Sequence, residues 1–259
     1  MSQTALITGG TGDIGKSIAF RLCEAGYDLI LVSRGQEKLE KTQAEIKAQY
    51  PDRTVDLKSC DVSVRDNVVL LFEELVSEQR IVNVLVNCAG TSGGGVTANM
   101  DPELWLNVIN TNLNSVFFVT REALHHNLIP SGGRIINIAS TGGKQGVILA
   151  APYSASKHGV VGFSKALGLE LAKNRSGITV NAVCPGFVES EMAVKVRQFY
   201  ANQWGTDVDE AKRRIEERVP LGRYIEPDEV AEMVAYLTSP KAAGVTAQAL
   251  NVCGGLGNY

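Results

Sequence analysis

The stretch Thr4-Ala5-Leu6-Ile7-Thr8-Gly9-Gly10-Thr11-Gly12-Asp13-Ile14-Gly15 decides how the chain reads. A short apolar run ends in a glycine-rich turn. Ile14, Ile18 and Leu22 then recur at four-residue spacing until Gly26. The run predicts a buried strand and the recurrence predicts a helix. Glycines between them let the backbone turn tightly and approach a pyrophosphate. The open N–H groups and positive dipole end of the helix can then hold it. A glycine turn by itself is also the mark of a plain tight turn; the strand–turn–helix setting is what points to a nucleotide.

The same rhythm continues outward. Asp28 to Val32 is a second apolar run, Glu37 to Gln49 a polar helix closed by Pro51, and Thr54 to Ser59 a third strand. Val64, Val68, Leu71, Phe72, Leu75 and Val76 form one helical stripe, and Val82 to Val86 a fourth strand. A helix is predicted from about Asn112 to Leu128, a strand over Arg134 to Ile138, and a helix over Tyr153 to Lys173. A strand over Ile178 to Val183, a helix over Pro227 to Leu237 and a strand over Gln248 to Val252 complete the set. Strands that alternate with helices and are apolar throughout imply a parallel sheet covered on both faces. The expectation is an α/β, doubly wound sheet of about seven strands in one domain over residues 1–259. Residues 187–222 break the rhythm. They are charged and carry Phe187, Phe199, Tyr200 and Trp204. An insertion after a strand's C-terminal end lies where ligands bind such sheets. It reads as a helical lid over an apolar pocket, or else as a packed surface helix pair whose aromatics are its own core.

Composition narrows the classes. Twenty-five basic residues against 28 acidic ones leave a net charge of −3, so no basic excess is present to neutralise nucleic-acid phosphates. No run approaches the ~18 apolar residues of a membrane span, and the first residues resemble no secretion signal. A cytoplasmic protein with no nucleic-acid or membrane partner is expected. Cys23, Cys60, Cys88, Cys184 and Cys253 show no paired spacing and read as reduced, buried small hydrophobes. His125, His126 and His158 have no ligand spacing, so no metal is expected.

Further positions point to a dinucleotide and to proton chemistry. The second strand ends Val32-Ser33-Arg34. An acid near there would bind a ribose 2′-hydroxyl, whereas the Arg34 guanidinium suits a 2′-phosphate; NADP(H) is therefore expected over NAD(H). Asp61 and Val62 follow the third strand, where Asp61 can accept from an adenine amino group. Asn87-Cys88-Ala89-Gly90 puts small residues after the fourth. Tyr153 and Lys157 stand one helical turn apart, so an ammonium can sit beside the phenol and pull its pKa down from ~10. The pair is then an acid/base device. Ser140, at the end of the preceding strand, can hold a carbonyl oxygen.

The Thr8–Gly15 loop, Asn87-Cys88-Ala89-Gly90, Asn112, Ser140, Tyr153-xxx-Lys157 and Pro185-Gly186, in this order, resemble the short-chain dehydrogenase/reductase family, a Rossmann fold. The resemblance implies that Tyr153 donates a proton to a carbonyl oxygen that Ser140 positions. It further implies that Lys157 binds the nicotinamide ribose, that Asn112 holds a water leading to solvent, and that NADPH delivers hydride. It adds Pro185, Gly186 and Val188 to the cofactor wall. One departure stands out, because the family usually has glycine where Asp13 stands. An acid so close to a pyrophosphate weakens binding unless it caps a helix and points away.

Longer stretches resemble one branch, the ketoreductases of aromatic (type II) polyketide synthesis. These are Ala139 to Val147, Ala150 to Tyr153, Asn181 to Glu189 and Val245 to Tyr259. That branch reduces one ketone, typically at C9, of a poly-β-ketone carried on an acyl carrier protein. Its pocket positions fall on Val147, Met192, Val196 and Tyr200. Its face-selecting loop falls on Ser92-Gly93-Gly94-Gly95, with Ser92 where a proline is common. The resemblance also implies a homotetramer and docking of an acidic carrier protein, for which Arg34 or Arg65 is suited. Val160, Phe163, Leu167 and Leu171 suit either the core or that tetramer interface. The alternatives are a fatty-acid type 3-oxoacyl reductase, a general carbonyl reductase, or a nucleotide-binding regulator that uses the fold without chemistry.

Overall fold

The computed structural model describes residues 3–257. Seven strands alternate with helices: β1 (Thr4–Thr8), α1 (Asp13–Glu24), β2 (Asp28–Ser33), α2 (Gln36–Gln49), β3 (Val55–Ser59), α3 (Arg65–Ser77), β4 (Val84–Asn87), α4 (Pro102–Ile109), α5 (Ser115–His125), β5 (Arg134–Ile138), α6 (Ala151–Lys173), β6 (Thr179–Pro185), α7 (Glu191–Trp204), α8 (Val208–Glu216), α9 (Pro227–Thr238) and β7 (Ala249–Val252). The strands form one parallel sheet in the order β3-β2-β1-β4-β5-β6-β7. The order reverses beside β1, which pairs with both β2 and β4, and this switch point opens a crevice outside the strand C-termini.

Neighbouring strand residues enter opposite core layers. Ala5, Ile7, Leu29 and Leu31 pack with Ile18, Leu22, Leu39, Val230 and Val234 from α1, α2 and α9. Leu6, Ile30, Val32 and Leu85 pack with Val68, Phe72, Val119 and Leu167 from α3, α5 and α6. This is why the strands read as unbroken apolar runs. Val160, Leu167 and Leu171 are buried, which answers the core-or-interface alternative for these three. Phe163 is half-buried and meets the exposed Phe117 edge to face.

One feature differs from the sequence reading, and a second bears on an alternative that it left open. The helix expected to begin near Asn112 begins at Pro102 as α4, and a π-helical turn over Asn110–Asn114 leads from it into α5. Its start has a sequence signature that the periodicity reading passed over. Pro102 occupies the first turn, where a missing N–H has no consequence, and the Asp101 carboxylate accepts from the Glu103 N–H at 3.0 Å. Residues 187–222 contain α7 and α8, which close on each other around Ala193, Tyr200, Ala201, Ala211, Ile215 and Tyr224. Their aromatics therefore form a core of the pair's own, and Tyr200 stacks on Trp204 with centroids 4.7 Å apart.

All five cysteines are free thiols, and burial pushes Cys23 up to about 12 and Cys60 up to about 11. No helix among the described residues is long and apolar enough to cross a membrane.

The β1–α1 turn permits no side chain at Gly15, where a Cβ would lie 2.2 Å from the Gly9 carbonyl oxygen. Gly15→Ala is expected to lower stability by about 2 kcal/mol through overpacking. At Gly12 a Cβ would meet nothing nearer than 3.6 Å, so Gly12→Ser should stay within about 0.5 kcal/mol of the parent. Urea unfolding of the two variants checks the contrast, and equal losses would refute it.

Candidate active site

The strand C-termini gather the predicted residues along one edge of the sheet. Gly9 adopts φ +67°, and a Cβ there would sit 2.8 Å from the Ala89 backbone. The glycine loop thus lies directly against the Asn87-Cys88-Ala89-Gly90 segment. No side chain caps α1, so the N–H groups of its first turn have no side-chain partner and an anion can approach them, while the Gly9, Gly10 and Gly12 N–H groups are spent on the Val32 and Gly9 carbonyls. The loop therefore fits a pyrophosphate sterically and electrostatically.

Several predicted cofactor residues face inward. The Thr8 hydroxyl accepts from the Cys88 and Ala89 N–H groups at 3.1 and 3.2 Å. Asn87 donates to Thr120 Oγ1 and Asn137 Oδ1 inside the sheet–helix layer. Val62 and Val188 are core residues, and half-buried Ile14 packs on the core under α1. These side chains shape the loops that carry them, and of the five only Ile14 leaves a substantial part of its side chain open. The Gly186 position is just as constrained, since a Cβ there would lie 3.0 Å from Cys253 as the chain leaves Pro185.

Arg34 is exposed at the end of β2. Beside it Thr11 Oγ1 and Ser33 Oγ are hydrogen-bonded at 2.9 Å. Ser33 was not singled out by sequence, although its place between Val32 and Arg34 is the available signal. Asp61 Oδ1 accepts from the Ser63 N–H and hydroxyl, so the oxygen that could serve a ligand is Oδ2. Asp13 stands in the first turn of α1, beside the glycine loop. Its Oδ2 accepts from the Glu191 N–H at 2.8 Å, at the first turn of α7.

The acid/base residues converge as expected. Tyr153 and Lys157 share one face of α6, with Lys157 Nζ 5.9 Å from the Tyr153 ring centroid. The Tyr153 hydroxyl is hydrogen-bonded to Ser140, whose Oγ also accepts from the Gly142 N–H at 3.0 Å. Lys157 is buried and donates to the Ile138 carbonyl at 2.8 Å. Gly90 passes over it, close enough that a Cβ would lie 3.6 Å from Nζ. Asn112 sits in the π-helical turn, a rare geometry that often marks functional sites. Its Oδ1 accepts from the Thr91 N–H at 2.7 Å, and its Nδ2 donates to the Thr91 carbonyl and to Ser156 Oγ. Both Nδ2 protons are thus used, and Oδ1 has accepted one bond and keeps a second lone pair. Ser156 donates in turn to the Tyr153 carbonyl at 2.7 Å and ties Asn112 to the catalytic helix. Neither periodicity nor motif singled out Ser156.

The electrostatics correct one expectation. Lys157 was expected to pull the Tyr153 phenol down. Instead burial pushes Tyr153 up, and the Ser140 hydrogen bond draws it only partly back. Lys157 itself is pushed down to about 8 by burial. Cys88 is pushed up to about 12 by burial, with Lys157 pulling the other way, and is no nucleophile.

Of the predicted substrate positions, Ser92, Gly93 and Gly94 run beside the 147–150 loop. The Gly95 N–H donates to the Leu149 carbonyl at 2.7 Å, and Leu149 takes φ +59°. Val147 is half-buried near the Tyr153 ring, since both would press on a Cβ at Gly142. Met192 is exposed, Val196 packs against the α7–α8 core, and Tyr200 belongs to that core. Tyr200 is thus turned inward, away from the pocket position expected for it.

A Cβ at Gly94 would lie 2.0 Å from the Leu149 carbonyl oxygen. Gly94→Ala must therefore move the clasp that lies next to Tyr153. Turnover is expected to fall by about a hundredfold, the usual effect of a ~1 Å misplacement. Steady-state kinetics with circular dichroism as the folding control checks this; unchanged kinetics in a folded variant would contradict it.

Comparison with known proteins agrees with the geometry. The short chain dehydrogenase family model matches residues 3–201. A Streptomyces coelicolor protein assigned as a ketoacyl reductase is 56% identical over 260 residues, covering 100% of this chain and 98% of its own. A ketoacyl reductase assigned to the granaticin polyketide synthase of Streptomyces violaceoruber is 56% identical over 257 residues, covering 98% and 93%. The crystal structure of a tryptophan variant of the actinorhodin polyketide ketoreductase with NADPH superimposes with a TM-score of 0.94 at 55% identity, covering 100% and 98%. With that model matched over residues 3–201 and full-length relatives at 56% identity, the chain belongs to the short-chain dehydrogenase family.

Proposed function

We propose that this chain is an NADPH-dependent ketoreductase of aromatic polyketide assembly, which reduces one ketone, at C9, of a poly-β-ketone held on an acyl carrier protein. The observation that carries the reading is the junction of Tyr153, Ser140 and Lys157 beside the glycine loop. The full-length identity to polyketide ketoreductases supports the substrate class.

The glycine loop and α1 N-terminus would hold the pyrophosphate, and Arg34 with Thr11 and Ser33 the 2′-phosphate. Bound there, NADPH supplies the hydride. Tyr153 gives its proton to the carbonyl oxygen. Burial favours the neutral phenol, so the proton is in place across the neutral range. Ser140 orients the oxygen through its hydroxyl. Lys157, held on the Ile138 carbonyl, faces the ribose with its charge and helps replace the proton that Tyr153 gives up. Residues 187–222 act as the lid of this single domain, with Met192 an exposed, adaptable apolar side chain suited to a flat substrate. Exposed Arg34 and Arg65 suit an acidic carrier protein. Exposed Trp105, Leu106, Phe117 and Leu169 on α4–α6 suit burial in a homotetramer. Reduced cysteines fit a cytoplasmic setting.

NADPH consumption with trans-1-decalone tests the reading. Turnover with NADPH, little with NADH, and a loss of at least about a hundredfold in Tyr153→Phe are expected. Activity confined to short acetoacetyl thioesters would move the chain to the fatty-acid type and overturn the polyketide reading. In the same assay kcat/KM should decline as pH rises through about 8, where free-enzyme Lys157 loses its proton and with it the charge beside Tyr153. A profile flat through that range would exclude this role for the charge.

A further inference from the structure

We propose that Asp13 is a positioning residue for the lid: its carboxylate pins the first turn of α7 to the cofactor loop, at a cost in cofactor affinity. The contact joins residues 178 positions apart. Asp13 Oδ2 accepts the Glu191 N–H at 2.8 Å. Glu191 opens α7, and the N-cap Ser190 hydroxyl already serves the Ala193 N–H at 3.1 Å. Two of the donors that a helix start leaves open are therefore satisfied, one by the lid itself and one by the body of the protein. Asp13 also stands in the first turn of α1, so its carboxylate lies between two positive dipole ends and is favoured by both.

The rest of the lid explains why this tie matters. α7 and α8 pack chiefly on each other, around their own small core. Arg197 donates to Glu189 Oε2 at 3.0 Å, and Lys212 lies 3.7 Å from the same carboxylate. Both ties hold the lid to its own base, just after β6. The Val188–Ile225 bridge likewise belongs to that base. Asp13 reaches the lid from the other half of the chain, joining the first turn of α1 directly to the first turn of α7. The same carboxylate places a negative charge at the α1 N-terminus, where the loop would receive two phosphates. A glycine there would bind the pyrophosphate without that repulsion but would leave the Glu191 N–H unheld. Lid placement and cofactor affinity are thus opposed through one side chain.

The test uses the full-length protein with Asp13→Gly and Asp13→Asn, and thermal unfolding as the folding control. Asn keeps an oxygen that can accept from Glu191 but removes the charge, so the two variants separate tether from repulsion. Hydrogen exchange of the peptide over residues 190–195, without cofactor, should be about tenfold faster in Asp13→Gly and near the parent in Asp13→Asn, with the sheet unchanged. NADPH titration by fluorescence should give a dissociation constant roughly two- to fivefold lower in both variants. Unchanged exchange in folded Asp13→Gly would overturn the tether, as would equal loosening in both variants. An unchanged or weaker NADPH constant in Asp13→Asn would overturn the opposition. The exchange measurement needs neither cofactor nor ketone, so it can fail or succeed independently of the ketoreductase reading. The titration rests on the dinucleotide part of that reading alone.

Discussion

Every central strand is covered on both faces, and that constraint governs where chemistry can occur. Ala5 and Ile7 feed one apolar layer while Leu6 feeds the other, so the interior of β1 has no position left for a polar function, and polar contact begins at its end, where Thr8 accepts from the Cys88 and Ala89 N–H groups. Functional groups can emerge only where strands end. The parallel register then places the ends of β1, β2, β4, β5 and β6 along a single edge. Ser140, Tyr153 and Lys157, the glycine loop and the start of residues 187–222 all follow from that edge. It also explains why backbone approaches are so tight there. Gly9 meets Ala89, Gly15 meets Gly9, and Gly143 packs so near the Lys157 carbonyl that a Cβ would lie 2.5 Å from it.

A buried polar network turns this edge into a defined site. Asn87 donates to Asn137, Asn137 to Ser164, and Ser164 to the Val160 carbonyl, which links β4 and β5 to α6. Buried amides unable to reach partners are costly, so the network admits few rotations of α6 against the sheet. That rotation sets where Tyr153 and Lys157 point. Asn112 and Ser156 lock the N-terminal part of the same helix to the loop at Thr91. The Lys157 ammonium, deep and held on a backbone carbonyl, is depressed toward neutrality, while the Tyr153 phenol is raised. The site thus keeps a protonated phenol beside a base-sensitive ammonium, which is a donor's arrangement more than a phenolate's.

Residues 187–222 obey a different logic. They make their own aromatic core and join the main sheet through few contacts, which leaves individual polar ties a large share in their placement. Segments of this kind sit at the low end of local stability and are suited to opening and closing over a ligand.

The sequence by itself determined the strand–helix alternation, the doubly wound parallel sheet and the glycine loop. It also determined the positions of Asn112, Ser140, Tyr153 and Lys157, because apolar runs, glycine spacing and the one-turn Tyr–Lys spacing are local signals. It missed α4, because a π-helical turn interrupts the 3.6-residue rhythm on which periodicity depends and separates α4 from α5. Only the tertiary structure decided which way side chains faced. Thr8 and Asn87 turn inward to partners 80 and 50 positions away, and Tyr200 turns into the lid's own core. Asp13 meets a helix 178 positions along the chain. The pKa directions of Tyr153 and Lys157 belong to the same class, since burial outweighs their spacing on one helix. A sequence specifies periodicity and proximity along the chain, but the partner of a polar atom is set by whichever distant backbone the fold brings within hydrogen-bond reach.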